Sequence, residues 1–178
     1  MLQKLKKDFF AHRNGMLAQQ LKNDGDPHTI VMGCQLVDIV AITSQYDKDS
    51  FTAQALWDER QHRECRMAAP MLVRIEEFTM SQALAWCESI ESIEIADVLC
   101  HRLLRHLDYA QQLWEQLRVS SNLLPRYAAW RLLLNLLLMN KIENRENLVP
   151  IVEQELQIAP THLHPLLHSI KDECLINA

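Results

Sequence analysis

The sequence has 178 residues, of which 48% are hydrophobic and 23% charged, and its formal net charge at pH 7 is −5. A chain of this length can bury a sizeable core without disulfides or bound metal. Its three glycines leave no glycine-rich loop of the P-loop or Rossmann type, in which glycine lets the backbone approach a phosphate. The composition therefore excludes disordered and collagen-like proteins as well as those nucleotide-binding classes.

Apolar residues recur at helical spacing along nearly the whole chain, and strand-like alternation is almost absent. Residues suited to helix starts support several boundaries, such as Asp49 or Ser50 before one apolar segment, Pro125 in a first turn, and Pro160 with Thr161 before the last segment. We predict an all-α protein with helices at 2–24, 35–46, 50–60, 62–77, 81–89, 94–107, 109–118, 125–140, 145–157 and 161–176. Because the turns are short and no long linker interrupts them, we expect an α-α superhelix of antiparallel helix pairs in a single domain, 1–178.

Several features of the sequence bear on the cellular compartment of the protein. The longest apolar run, Leu132 to Asn140, is interrupted by Asn135 and is too short to span a bilayer. The start, MLQKLKKDFF, has lysines but no following apolar core or cleavage site, so we predict no signal peptide. The five cysteines are spread singly, without zinc-site spacing, and are expected to be reduced and buried. We therefore predict a soluble, cytoplasmic protein with no cofactor and no metal.

The segment LWDERQHRECRMAAPML, from Leu56 to Leu72, combines a helical pattern with several arginines. Its apolar stripe consists of Cys65, Ala68, Ala69 and Leu72. Arg63 and Arg66 fall off this stripe and are predicted to face outward, either toward a polyanion or as solvated residues paired with nearby glutamates. Pro70 is expected to kink the helix, because it removes a backbone hydrogen bond.

Three segments in order, MGCQLVDIVAITSQYD, LWDERQHRECRMAAPML and WCESIESIEIADVLCHRLL, resemble the HEAT-like helical repeat family of DNA alkylation repair proteins, the AlkD-type alkylpurine DNA glycosylases. In that family a glycine-led helix is followed by a Leu-Trp motif, a helix beginning with His/Arg-Glu-x-Arg, and a segment reading Trp-Asp/Glu-x-x-Asp. The similarity runs from about Asn14 to Leu138, and its specificity lies in the order and spacing of the motifs. It implies a HEAT-like repeat superhelix whose concave, basic face binds the backbone of double-stranded DNA.

The activity that the resemblance implies is excision of N3- or N7-alkylated purines from DNA. Because such bases are cationic and leave readily, an enzyme needs mainly a carboxylate beside the developing oxocarbenium ion and a correctly placed water. The resemblance places this catalytic carboxylate at Asp97, in EIADVLC, and a phosphate-binding arginine at Arg126. From the residues alone, a structural role is favoured for Asp97, which could cap a neighbouring helix or pair with an arginine such as Arg126.

The sequence departs from the family pattern around the cleft that holds the aspartate. Ile93 stands where the family has a tryptophan, Tyr127 replaces the second arginine of a Trp-x-Arg-Arg pattern, and APTHLHPLLHSI lacks the later cleft tryptophan. Each missing ring removes about 1 to 2 kcal/mol of cation stabilisation. The tryptophans that are present lie on apolar stripes and are expected in the core: Trp57, Trp86, Trp114 and Trp130.

The distribution of charge bears on DNA binding. Between His101 and Arg131 the local net charge is +3, whereas Asp58 to Cys100 carries −5. DNA binders need a basic footprint, because neutralised phosphates supply most of the non-specific affinity. The predicted DNA-binding residues are Arg63, Arg66, Arg102, Arg105, Arg126 and Arg131, if they converge on one face.

Three functions remain open from the sequence. The first is base excision with Asp97 as the catalytic residue. The second is recognition of DNA shape or damage without excision, which the missing tryptophans favour. The third is a scaffold for a protein partner, to which a repeat fold and net acidity are suited.

Overall fold

The computed structural model describes residues 1–176, which contain eleven α-helices. The predicted all-α class is confirmed, and within these residues the only β contact is an isolated bridge between Ile30 and His62. No helix in this range is long and apolar enough to cross a membrane. The chain folds into two compact units, Met1–Trp86 and a second one that begins at Cys87. A single domain spanning the whole chain stays a prediction.

The first unit is built on short helices. They are α1 (Leu2–Ala11), α2 (Gly15–Asn23), α3 (Leu36–Thr43), α4 (Ser50–Trp57), α5 (Arg63–Leu72) and most of α6 (Met80–Glu88), with a 3-10 turn at Ile75–Glu77. The sequence predicted one helix over 2–24, but the helix is broken after Ala11. Asn14 caps a new helix there, because its side chain accepts a hydrogen bond from the Leu17 amide at 3.1 Å.

Helix α5 is the best buried element of the first unit. It packs against both α4 and α3. The predicted stripe of Cys65, Ala68, Ala69 and Leu72 is buried, as expected. The helix ends at Leu72 rather than continuing to residue 77, because Pro70 stands in its last turn and Val73 is extended. Every residue from Arg63 to Pro70 is buried, so α5 has no solvent-facing side over that length.

The second unit is organised around one long helix. Its helices are α7 (Ile93–Arg102), α8 (Ala110–Leu117), α9 (Leu123–Leu138), α10 (Val149–Ile158) and α11 (His164–Ile176), with 3-10 turns at Leu104–His106, Arg145–Leu148 and Thr161–Leu163. Helix α9 packs against α7, α8 and α11, and its middle is buried on nearly every side. Trp114 of α8 and Trp130 of α9 meet edge to face at 6.1 Å in this core.

The cysteines are free and buried, as predicted: Cys34, Cys65, Cys87, Cys100 and Cys174. Burial raises the pKa of the Cys34 thiol to about 12, and it raises the pKa of Cys65 equally. Since the thiolate is the reactive form, these two thiols are unreactive side chains of the core. They contribute packing to the first unit.

Candidate functional site

Asp97 stands in the middle of α7, on the edge of that helix's apolar face. The helix begins where the Ser92 hydroxyl accepts a hydrogen bond from the Ile95 amide at 3.2 Å, which fixes its first turn. The residues that flank Asp97 in sequence, Ala96 and Val98, are buried, whereas the Asp97 side chain is 38% exposed. The carboxylate is therefore held by a rigid helix and is accessible to solvent.

The carboxylate of Asp97 is bound by two side chains of α9, one helical turn apart. Arg131 Nε donates to Asp97 Oδ1 at 2.7 Å, and the Tyr127 hydroxyl donates to the same oxygen at 2.8 Å. Arg131 Nη2 in turn donates to the Tyr127 oxygen at 2.9 Å. Of the two arrangements that the sequence left open, Asp97 pairs with an arginine, but the partner is Arg131 and not Arg126.

The Asp97, Arg131 and Tyr127 side chains form a closed group of hydrogen bonds. Burial raises the pKa of Tyr127 to about 12, and its hydrogen bond to Asp97 acts in the same direction. Burial by itself lowers the pKa of Arg131, but the Tyr127 hydrogen bond and the Asp97 charge outweigh it, so that pKa is raised. Arg131 thus stays charged and neutralises Asp97.

A cluster of basic side chains follows Asp97 along the chain, and we refer to it as the basic cluster. Its members are His101, Arg102, Arg105, His106 and Lys141. His101 lies one helical turn after Asp97, on the same side of α7. Burial lowers the pKa of His101, and the charges of Arg105, Arg102 and His106 lower it further. That effect requires the four side chains to be close together.

Lys141 and Arg105 in the basic cluster contact a carbonyl oxygen and a histidine ring rather than acids. Lys141 Nζ donates to the Arg105 carbonyl oxygen at 2.9 Å, and Arg105 Nε donates to His106 Nε2 at 3.2 Å. Neither Arg102 nor Arg105 forms an ion pair within residues 1–176. The positive charge of these two arginines is therefore not compensated by a carboxylate of that range.

Arg126 is engaged elsewhere in the second unit. Its Nε donates to Glu155 Oε1 at 2.7 Å, and the Trp130 indole donates to the same oxygen at 3.0 Å. Glu155 is buried, so this ion pair links α9 to α10. Arg126 therefore contributes little uncompensated charge to a DNA-binding face.

The prediction that Arg63 and Arg66 face outward is wrong, since their exposed fractions are 3% and 1%. Arg63 Nη1 donates to Glu64 Oε1 and to the Cys34 carbonyl oxygen, both at 3.1 Å. Arg66 Nη1 donates to the Trp57 carbonyl oxygen at 2.6 Å. The apolar stripe in the sequence predicted one buried face of α5. Because α5 packs against both α3 and α4, the face that carries the arginines is buried as well.

The matching family model is described as DNA alkylation repair enzyme, and it covers residues 5–161. The chain belongs to this family. A solved structure described as "a new family of proteins related to the HEAT-like repeat DNA glycosylases with affinity for branched DNA structures" is 13% identical to it. That structure matches with a TM-score of 0.85 over 97% of this chain and 74% of its own. This likeness confirms the predicted HEAT-like repeat fold class. No curated protein matches the chain.

The family resemblance predicts tryptophans around Asp97 that the sequence does not have at the expected positions. Ile93, at the expected tryptophan position, is an exposed aliphatic residue. The tryptophans of the chain are all buried in the core, as predicted: Trp57, Trp86, Trp114 and Trp130. In the described part of the chain no three His, Cys, Asp or Glu side chains are grouped to hold a metal ion.

Sequence reasoning misses four residues of this region. Tyr127 stands out in the sequence only as a lost arginine, although it binds Asp97. His101 and His106 were not identified because the charge count treats histidine as neutral. Lys141 was not identified because it is distant in sequence from the other members of the basic cluster. The signal that could have found the two histidines is the run HRLLRH, which places four basic residues within about two helical turns.

Proposed function

We propose that this protein binds branched or double-stranded DNA through the basic cluster of its second unit and does not excise bases. The observation that carries the proposal is the pairing of Asp97 with Arg131 at 2.7 Å. A carboxylate already matched by a guanidinium presents little net negative charge to a reacting sugar. The surface around it attracts anions, because Arg102 and Arg105 add two charges with no acidic partner in the described chain.

The electrostatics of base excision also disfavour catalysis by a paired Asp97. Departure of an alkylated purine develops positive charge on the deoxyribose, which a nearby carboxylate stabilises. Two opposite unit charges 4 Å apart near a protein surface attract each other by about 4 kcal/mol. A guanidinium a few ångströms further away opposes most of that contribution. Phosphate groups are negatively charged, so the same guanidinium attracts them.

Binding to DNA phosphates requires uncompensated and accessible cations. Arg102, Arg105 and Lys141 satisfy the charge requirement, and His106 adds a further donor. Arg126 and Arg131 are already paired with Glu155 and Asp97. The two buried arginines of α5 are left out of the proposed interface.

Two findings support DNA rather than a protein as the ligand. The chain belongs to a DNA alkylation repair family, and the structural relative is described as having affinity for branched DNA. A scaffold for a protein partner is consistent with the net charge of −5, but the positive charge of the basic cluster is what a polyanion needs.

The test measures fluorescence anisotropy of a labelled duplex and of a labelled four-way junction, titrated with protein over a range of salt concentrations. We expect binding that weakens steeply with salt, and a salt slope smaller by about one for Arg102→Gln or Arg105→Gln. Arg74→Gln is the matched control, because Arg74 is exposed in the first unit and pairs with Glu77. No binding at low salt, or an equal loss in the control, would contradict the proposal.

Base excision is the second candidate, since the family resemblance implies Asp97 as the catalytic residue and its side chain is 38% exposed. Release of 7-methylguanine from a methylated duplex measures it directly. We expect no release above the spontaneous rate from wild type or from Asp97→Asn. Release by wild type that Asp97→Asn abolishes would replace the proposed function with excision.

A further inference from the structure

A pocket of about 260 Å³ lies within the second unit. It is formed by the end of α8 with the residues that follow it, by α9 and by α10, and we refer to it as the Arg118 pocket. The lining residues that matter here are Arg118, Val119, Arg126, Trp130, Glu155 and Ile158. Its volume is just below the range of about 300 to 1,000 Å³ that is usual for small-molecule sites. It therefore suits one nucleotide-sized group rather than a duplex.

The polar wall of the Arg118 pocket contains a cation that no acidic side chain of residues 1–176 pairs with. The guanidinium of Arg118 lies 5.4 Å from the Trp114 ring centroid. Its Nε is buried and has no hydrogen-bond acceptor among the described residues. Buried donors in proteins are nearly always satisfied, so an unpartnered guanidinium nitrogen beside a pocket indicates an acceptor that the chain itself does not supply.

The charge balance of the pocket favours a singly charged anion. Two guanidinium groups, of Arg118 and Arg126, stand against the one carboxylate of Glu155. Glu155 Oε1 is already bound by Arg126 and by the Trp130 indole. The remaining charge is that of Arg118, which matches the single negative charge of a phosphodiester.

Part of the pocket lining is apolar. Val119 and Ile158 belong to this part of the lining and are 69% and 66% exposed, so their apolar surface is available to a ligand. The face of a nucleobase would cover both residues and remove their apolar surface from water. Gln154, which also lines the pocket, has an amide suited to the edge of a base.

We propose that the Arg118 pocket binds one unpaired nucleoside phosphate unit, with the phosphate on Arg118 and the base over Val119 and Ile158. Where that unit belongs to a DNA strand, the inference rests on the proposed function and gives it a preference for DNA with an unpaired nucleotide. A free nucleoside monophosphate offers the same base and phosphate oxygens, with close to one additional negative charge at pH 7. The pocket is separate from the Asp97 group, with which it shares none of its lining residues.

The experiment compares the affinity for a blunt duplex with that for the same duplex carrying a one-nucleotide thymidine overhang, by anisotropy. We expect the overhang to strengthen binding by about tenfold, the effect of one hydrogen bond to a charged group. Arg118→Gln should abolish this gain and leave binding to the blunt duplex unchanged. Ile158→Glu, a change of an exposed residue, should do the same, because it replaces apolar surface under the base with a negative charge. Arg105→Gln should weaken binding to both duplexes equally.

The outcomes separate this inference from the proposed function. If the overhang gives no gain, or if Arg118→Gln weakens both duplexes equally, the pocket proposal is overturned while DNA binding stands. If neither duplex binds, the proposed function fails. Saturation-transfer NMR with thymidine 5′-monophosphate then tests whether the Arg118 pocket binds a nucleotide. Binding of thymidine 5′-monophosphate that Arg118→Gln abolishes would identify a free-nucleotide site, and absence of binding would overturn the proposal.

Discussion

The guanidinium carbon of Arg66 lies 3.6 Å from the centroid of the Trp57 ring, so the cation is stacked on an indole inside the first unit. Trp57 in turn stacks on Trp86 with ring centroids 4.3 Å apart and planes inclined by 3°. The three side chains form a layered stack of a cation and two indoles. An arginine that the sequence offered as a DNA contact therefore stabilises the core.

Replacing Arg66 should reduce stability without affecting DNA binding. Arg66→Gln removes a desolvated cation–π contact and a charged hydrogen bond to the Trp57 carbonyl, which together contribute about 3 kcal/mol. Urea denaturation followed by circular dichroism should show a lower midpoint, while anisotropy of the folded variant should match wild type. If Arg66→Gln had normal stability but bound DNA more weakly, the prediction would be wrong and Arg66 would be a DNA-binding residue.

The α-helices and the buried stripe of α5 could be predicted because helical spacing and cap residues such as Asp49 are local signals. What surrounds a helix is not local, and the outward placement of Arg63 and Arg66 was wrong for that reason. The partner of Asp97 lies 34 residues further along the chain, and only the packing of α7 on α9 selects Arg131. A single sequence carries no measure of that packing.

Gly33 should tolerate no side chain. Its φ is +75°, and an added Cβ would lie 2.7 Å from the Ala18 nitrogen and overlap the Asn14 carbonyl oxygen. Gly33→Ala is expected to lower the free energy of unfolding by about 3 kcal/mol, through backbone strain and displacement of α2. Gly15→Ala is the matched control, because nothing lies within 4 Å of its added Cβ. Equal urea midpoints for the two variants would contradict the close approach.

Glu64 should make the first unit sensitive to acid. Its carboxylate is fully buried and accepts hydrogen bonds from the amides of Met32 and Gly33, at 3.1 and 3.0 Å. Burial alone raises the pKa of Glu64, but the His62 ring nitrogen 3.5 Å away, the Met32 amide and the Arg63 charge outweigh it and lower that pKa to about 2.

Because the folded-state pKa of Glu64 lies below the ordinary value of 4.5, its contribution to stability is complete above that pH. The contribution is lost as the pH falls from 4.5 toward 2. Glu64→Gln should cost about 3 kcal/mol at neutral pH, because the buried Arg63 loses its carboxylate partner at 3.1 Å and keeps Asp26 Oδ2 only at 3.7 Å. Urea midpoints measured over this pH range should converge for wild type and Glu64→Gln. Glu76→Gln, at an exposed position, should follow wild type at every pH.

His101 should make DNA binding stronger at mildly acidic pH. In the free protein its pKa is lowered by burial and by the charges of Arg105, Arg102 and His106, so most of the residue is neutral near pH 7. Phosphates placed against the basic cluster would offset those charges and raise the pKa, and binding would then take up a proton. By linkage, affinity rises as the pH falls through this range, by about tenfold for each unit by which binding raises the pKa.

Anisotropy titrations of a duplex from pH 8 down to 5.5 measure this dependence, and His101→Gln should flatten most of it. The matched control is His12→Gln, since His12 is an exposed histidine of the first unit whose ring bonds only the Asp8 carbonyl oxygen in the described chain. Loss of the pH dependence in His101→Gln alone places the bound phosphates beside α7. If both variants keep the wild-type pH dependence, the phosphates lie away from His101, because a proton is taken up only by a group whose surroundings change on binding.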